Sequence, residues 1–247
     1  MSDRAPSLAH KPTERPHRGV AVSLFRIEPA VGLQPLPAIS AAPIERAPIG
    51  QLEQALKRTV DVFGAAIGLI LLSPLLLTVA LLIKLGSKGP VLFSQWRGGC
   101  NGRKFRIFKF RSMIVLEDGP VIRQATREDP RFTGFGRLLR RTSIDELPQL
   151  FNVLRGEMSL VGPRPHAIAH DNEYTRTVVG YTLRDRVRPG MTGWAQVNGY
   201  RGETGTLDLM SKRVECDLWY IRNWSIWLDA KIIFRTLTSE IWRPRGY

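Results

Sequence analysis

From Val62 to Ile83 the chain reads VFGAAIGLILLSPLLLTVALLI, 22 residues without a charge. At about 1.5 Å per residue, a straight helix of this length crosses the apolar core of a bilayer. Such a segment must be covered by protein or given to lipid. It starts too far along the chain for a secretory signal, and Pro74 sits near its middle. Proline removes a backbone hydrogen bond and bends a helix. The Ser73 hydroxyl can bond back to a freed carbonyl, which makes the break tolerable in lipid. Both flanks are basic, Lys57 and Arg58 before and Lys84 and Lys88 after. Basic flanks favour the cytoplasmic side. A bent, re-entrant helix keeps both ends there, and a straight span does not. From these residues three readings stay open: a re-entrant helix, a kinked transmembrane helix and a buried core helix.

The rest of the chain divides around this segment. Residues 1–50 hold eight of the 17 prolines and no lasting period, which predicts a disordered tail. Residues 51–90 comprise the apolar helix and its flanks. Residues 91–247 are long enough for one folded domain. The whole chain carries 36 Lys and Arg against 22 Asp and Glu, a net charge of +14. Ten of those net charges fall between Lys84 and Arg141, where 14 basic residues meet four acids. A basic block next to an apolar insertion favours anionic lipid or phosphate-bearing ligands. Within it, Phe105-Arg106-Ile107-Phe108-Lys109-Phe110-Arg111 reads as a strand, apolar on one face and cationic on the other. Aromatic and basic residues so interleaved also suit single-stranded nucleic acid.

Two distant cysteines, Cys100 and Cys216, exclude a disulfide framework and an all-cysteine zinc site. His166 and His170 stand four apart, but no zincin pattern accompanies them, so metal ligation there is not expected. No Walker P-loop and no GxGxxG occurs.

The most informative stretch runs from Arg140-Arg141 through Asp145-Glu146 into Pro148-Gln149-Leu150-Phe151. Ser143 followed by Glu146 matches a capping box at a helix start. The alternative is chemical: one carboxylate attacks phosphorus and the other helps hold a divalent cation. Two adjacent anions need cations to stay charged. Next comes Gly162-Pro163-Arg164-Pro165, whose prolines Pro163 and Pro165 stiffen the backbone around one arginine. A rigidly presented guanidinium suits phosphate, although a plain turn explains the same residues. Arg188–Tyr200, with three glycines, reads as a loop that wraps a ligand or as an irregular connection. Asp217 lies in a predicted helix, where an acid is more often on the surface. Trp224–Arg235 has tryptophans, aliphatics and basic residues at helical spacing, which suits the membrane interface or a core-packed helix.

Taken together, these residues resemble the bacterial sugar transferase family, the polyprenyl-phosphate hexose-1-phosphate transferases or monotopic phosphoglycosyl transferases. The resemblance runs from about Lys57 to Leu237. It rests on Lys57-Arg58-x-x-Asp61, Ser73-Pro74, Phe108-Lys109-Phe110-Arg111-Ser112-Met113, Asp129-Pro130-Arg131-Phe132-Thr133, Ser143-Ile144-Asp145-Glu146-Leu147-Pro148-Gln149, Gly162-Pro163-Arg164-Pro165, Pro189-Gly190-Met191-Thr192-Gly193-Trp194 and Asp217-Leu218-Trp219-Tyr220. It implies transfer of a hexose-1-phosphate from a UDP-hexose, with glucose or galactose as the sugar, to undecaprenyl phosphate, with release of UMP. This is the first membrane step of exopolysaccharide or related glycoconjugate synthesis. On the family pattern Asp145 is the nucleophile, Glu146 with Asp145 holds Mg2+, and Asp217 is a further functional acid. Arg164, Arg111, Arg141, Pro163 and Pro165 line the substrate, Ser73-Pro74 breaks the re-entrant helix, and Lys57-Arg58 anchors it at the membrane.

The implied fold is α+β and mainly helical: a re-entrant membrane helix plus a small cytosolic catalytic domain with interfacial amphipathic helices. The implied place is the cytoplasmic face of a bacterial inner membrane, with membrane lipid and a second copy of the chain as partners and no nucleic acid. Larger members carry a four-helix membrane module, so this chain resembles the small type. Gly98-Gly99-Cys100 and Cys216 depart from the family pattern. Two other functions compete. A glycosyltransferase would release UDP, and a membrane-tethered binding protein would tolerate Asp145→Asn.

Overall fold

A computed structural model describes residues 50–114, 130–202 and 206–242, with side chains as far as residue 238. The expected tail over residues 1–50 lies outside these residues apart from Gly50, as does Asp129. The fold is mainly helical with two small sheets, as an α+β reading requires.

The apolar segment forms one helix, α1, over Gln51–Gly86. At about 1.5 Å per residue its 36 residues span about 54 Å. The helix continues through Pro74 because the missing bond is replaced. Proline cannot donate to the carbonyl of Ile70, and Ser73 Oγ donates to that carbonyl at 2.8 Å. One stripe of α1 is buried, with Lys57, Asp61, Ala65, Val79 and Ile83 recurring at helical spacing. The other faces leave Phe63, Ile67, Ile70, Leu71, Leu77, Leu81 and Leu85 more than half exposed. So much exposed apolar surface on one helix excludes the buried-core reading.

Both ends of α1 are tied down. Lys57 Nζ pairs with Asp229 Oδ2 at 2.6 Å, and Arg58 donates to the carbonyls of Val153 and Leu154 at 2.6 and 2.8 Å. Asp61 Oδ1 accepts from Ser159 Oγ and the Leu160 amide at 3.0 and 2.9 Å. At the far end Arg111 donates to the carbonyls of Ser87 and Lys88, each at 2.8 Å.

A hairpin follows, β1 (Leu92–Gly98) and β2 (Lys104–Phe110), antiparallel with Leu92 opposite Phe110. Of the two adjacent glycines, Gly99 sits where a Cβ would lie 2.8 Å from the Arg103 carbonyl oxygen, whereas a Cβ at Gly98 would meet only the tip of the Asp171 side chain, at 2.7 Å. Thr133 caps α2 (Gly134–Arg141) by accepting from the Gly136 amide. A 3-10 turn over Ile144–Glu146 leads into α3 (Gln149–Arg155). Buried Asn152 locks α3 onto β2, accepting from the Phe108 amide and donating to the Arg106 carbonyl.

β3 (Ser159–Val161) pairs in parallel with β4 (Gly190–Thr192), and α4 (Ile168–Thr177) lies between them in sequence. The glycine-rich stretch around β4 makes a connection. Gly190 approaches Gly162 so closely that a Cβ would meet the Gly162 nitrogen at 2.0 Å. Short α5 (Trp194–Val197), α6 (Leu207–Arg222) and α7 (Ile226–Trp242) complete the described residues. Val161, Met210, Val214, Leu218, Tyr220 and Ile232 form the core between β3, α6 and α7. On α7, Trp227, Phe234 and Leu237 stay exposed along one side.

Candidate active site

The acid pair is raised on the turn before α3. Ser143 adopts the left-handed conformation, φ 57° and ψ 13°, instead of the extended geometry of a capping residue. Its hydroxyl accepts from Arg201 Nη2 at 2.7 Å. Glu146 does not reach back to it either. The capping-box reading is therefore corrected: Ser143 turns the chain, and both acids are released for other partners.

Glu146 is gripped from two sides. Arg164 makes a fork, Nη2 to Oε1 at 2.6 Å and Nη1 to Oε2 at 3.1 Å, and Lys109 Nζ reaches Oε1 at 2.7 Å. Burial alone would raise its pKa, but Arg164 and then Lys109 hold it well below the usual carboxylate range. Asp145 is 5% exposed, and among the described residues its carboxylate accepts no hydrogen bond. Burial pushes its pKa up to about 6, with Glu146 adding to the rise, while Lys109, Arg140 and Arg164 oppose it. The result is one carboxylate fixed as an anion and a neighbour left unbonded among cations. Such a field favours an incoming phosphate and leaves a nucleophile with little to shed.

Arg164 arrives on the segment after β3. The Gly162 amide donates to the Thr192 carbonyl and the Gly190 amide to the Pro163 carbonyl, both at 2.9 Å. Pro163 is buried, and Pro165 is half-buried on the other side of the arginine. Lys109 is a site residue outside the expected set, though the sequence carries its signal. The alternation of β2 slips at Phe108, so the face that buries Phe105 and Ile107 also carries Lys109 inward.

Other expected site residues stand elsewhere. Arg111, expected to line substrate, is buried with its guanidinium on the Ile83, Ser87 and Lys88 carbonyls at the end of α1. A helix end leaves carbonyls without partners, and Arg111 satisfies them. Arg141 is exposed at the end of α2, whereas its neighbour Arg140 is turned inward over the Phe132 ring. Asp217 is not a surface acid. It is 1% exposed and pairs with Arg184 Nε at 2.8 Å, away from the acid pair. Lys57 and Arg58, expected at lipid, are engaged with α7 and α3 as described. Among the described residues no three His, Cys, Asp or Glu side chains cluster.

The donor set can be tested against a divalent cation. Glu146 Oε1 already accepts from both Arg164 and Lys109, Oε2 accepts from Arg164 alone and keeps a lone pair, and Asp145 accepts from none among the described residues. Mg2+ keeps water and phosphate ligands and takes one or two carboxylates, so these two hard donors fit it as a partial shell.

Fold and site together define a mainly helical α+β chain with a long apolar helix and a carboxylate pair set among cations. The chain belongs to the bacterial sugar transferase family, whose model matches residues 52–243. It is similar to the UDP-glucose:undecaprenyl-phosphate glucose-1-phosphate transferase of Escherichia coli K12, 52% identical over 215 residues, covering 87% of this chain and 46% of that protein. A protein of the same name from Caulobacter vibrioides is 54% identical over 191 residues, covering 77% of this chain and 72% of its own length. The exopolysaccharide production protein PSS of Rhizobium leguminosarum bv. phaseoli is 48% identical over 200 residues, covering 79% of this chain and the whole of that protein. This chain thus spans less than half the length of its Escherichia coli relative.

Proposed function

We propose that this protein transfers hexose-1-phosphate from a UDP-hexose to undecaprenyl phosphate, releasing UMP, through an acyl phosphate that joins Asp145 to the phosphosugar. The observation that carries this is the unbonded, buried Asp145 carboxylate beside Lys109, Arg140 and Arg164. Glucose is the first donor to try, since the relatives at 52% and 54% identity bear it in their names.

In the first step an Asp145 oxygen attacks the β-phosphorus. The bond from that phosphorus to the bridging oxygen breaks, and UMP departs with the oxygen and the electron pair. In the second step a phosphate oxygen of the lipid attacks the same phosphorus, and the Asp145 carboxylate leaves. A lipid diphosphate sugar results, and no water is consumed. Arg164 and Lys109 stand where charge develops on the phosphoryl oxygens. Asp145 and Glu146 would hold Mg2+, which when bound neutralises phosphate charge and orients the diphosphate.

The membrane reading is that α1 enters the cytoplasmic leaflet of the inner membrane and returns to the same side. Its support is the pattern of ties: Lys57, Arg58 and Asp61 at one end, and Arg111 on the Ser87 and Lys88 carbonyls at the other, bind both ends to one polar body. The exposed stripe of Trp227, Phe234 and Leu237 on α7 suits the interface beside it. An acceptor that lives in lipid would meet the site there.

The test supplies detergent-purified protein with UDP-glucose, undecaprenyl phosphate and Mg2+. UMP release, absent in Asp145→Asn, is the expected result. UDP release would assign direct glycosyl transfer instead.

A further inference from the structure

Two arginines reach the acid-bearing turn from loops. Arg164 grips Glu146, and Arg201 donates to Ser143 Oγ. A long side chain on a loop is only as well placed as its main chain, and a misplacement of about 1 Å can cost about 100-fold in rate. Each of these loops is held by a second, buried arginine. Arg184 Nη2 donates to the carbonyl of Arg164 itself at 2.7 Å. Arg213 straddles Arg201, with Nε donating to the Tyr200 carbonyl at 2.9 Å and Nη2 to the Gly202 carbonyl at 2.6 Å.

The two holding arginines meet on one imidazole. Arg213 Nη1 lies 3.1 Å from His166 Nε2, and Arg184 Nη1 lies 3.2 Å from Nδ1. Tyr181 Oη donates to Asp171 Oδ1 at 2.6 Å, so its 2.6 Å contact with His166 Nδ1 needs the proton on that nitrogen. Nε2 then accepts from Arg213, and Arg184 packs against the ring edge. Burial, Arg184 and Arg213 hold His166 far below its ordinary pKa, so the ring stays neutral and keeps this arrangement. Asp217 balances Arg184, one turn along α6 from Arg213. All four residues are at most 8% exposed.

We infer that Asp217, Arg184, His166 and Arg213 form one buried clamp that positions Arg164 and Arg201 over the acid pair. The clamp acts through main-chain carbonyls, so its members are positioning residues. This rests on the proposed reading of Asp145 and Glu146 as the active site. It also gives Asp217 a role through its pairing with Arg184.

Double-mutant cycles on UMP release separate this from a general loss of folding. Arg184→Met should lower kcat about 100-fold, while KM for UDP-glucose moves by less than about threefold. In an Arg164→Met background, Arg184→Met should cost no more than about a further twofold, because its target is already gone. Combined with Arg201→Met, its full loss should multiply. Arg213→Met should show the reverse, coupling to Arg201 and multiplying with Arg164. Losses that multiply in every pairing would overturn the clamp. If Arg184→Met does not accumulate as folded protein, His166→Phe, which keeps the ring packed on Tyr181, takes its place and should couple to both arginines. An inactive wild type would overturn the reaction and the inference together, whereas an active wild type with only multiplicative losses overturns the inference alone.

Discussion

Asp145 and Asp217 are both buried acids of the family's motifs, yet their surroundings are opposite. Asp217 sits against Arg184 at 2.8 Å and is 1% exposed. Asp145 faces Lys109, Arg140 and Arg164 without a hydrogen bond among the described residues. A carboxylate already bonded to an arginine has its lone pairs committed and its position fixed, which suits support. A carboxylate held in a cationic field but left unbonded has lone pairs to give, which suits attack on phosphorus. Burial alone therefore does not identify a catalytic acid; the partners decide.

The comparison can be broken by substitution. Asp145→Asn should lower UMP release at least about 1,000-fold with the melting temperature unchanged, since no bond is lost. Arg164→Lys should cost about 10–100-fold in kcat/KM, because one ammonium cannot reproduce the fork on Glu146. Asp217→Asn should cost less, about 10-fold in kcat, and should lower the melting temperature because the Arg184 charge is left buried. A variant pattern in which Asp217→Asn matches Asp145→Asn in kcat at unchanged stability would erase the distinction. Smallest in its effect on chemistry is Lys57→Met. It should destabilise the fold by about 3 kcal/mol, because buried Asp229 loses its cation and keeps only the neutral donors Tyr220 and Trp224, while the folded fraction turns over normally. Thermal melting alongside activity per folded molecule checks this.

What could be read in the sequence was local. Ser73 bonding to the carbonyl freed by Pro74 follows from positions three and four residues apart, and the helix does so. The acid pair was visible because adjacent carboxylates after two arginines need a reason. The capping box was equally local and misled, because Ser143 is left-handed and its hydroxyl accepts from Arg201, 58 residues away. Basic residues were the least legible. Lys57, Arg58 and Arg111 read as a membrane flank and a phosphate site, but each is engaged inside the protein. For Arg111 the clue was available, since the last turn of α1 leaves carbonyls in need of a donor. Nothing local announces Arg184, Arg201 or Arg213, whose partners come from distant segments.

The central claim is that Asp145 becomes covalently attached to the phosphosugar. The direct measurement incubates detergent-purified protein with Mg2+ and UDP-glucose labelled at the β-phosphorus, without lipid acceptor, followed by acid quench and peptide mapping. The account predicts label on the peptide carrying Asp145, one UMP released for each label, and discharge when undecaprenyl phosphate is added. Release of UDP, or label on another residue while Asp145→Asn still turns over, would contradict it.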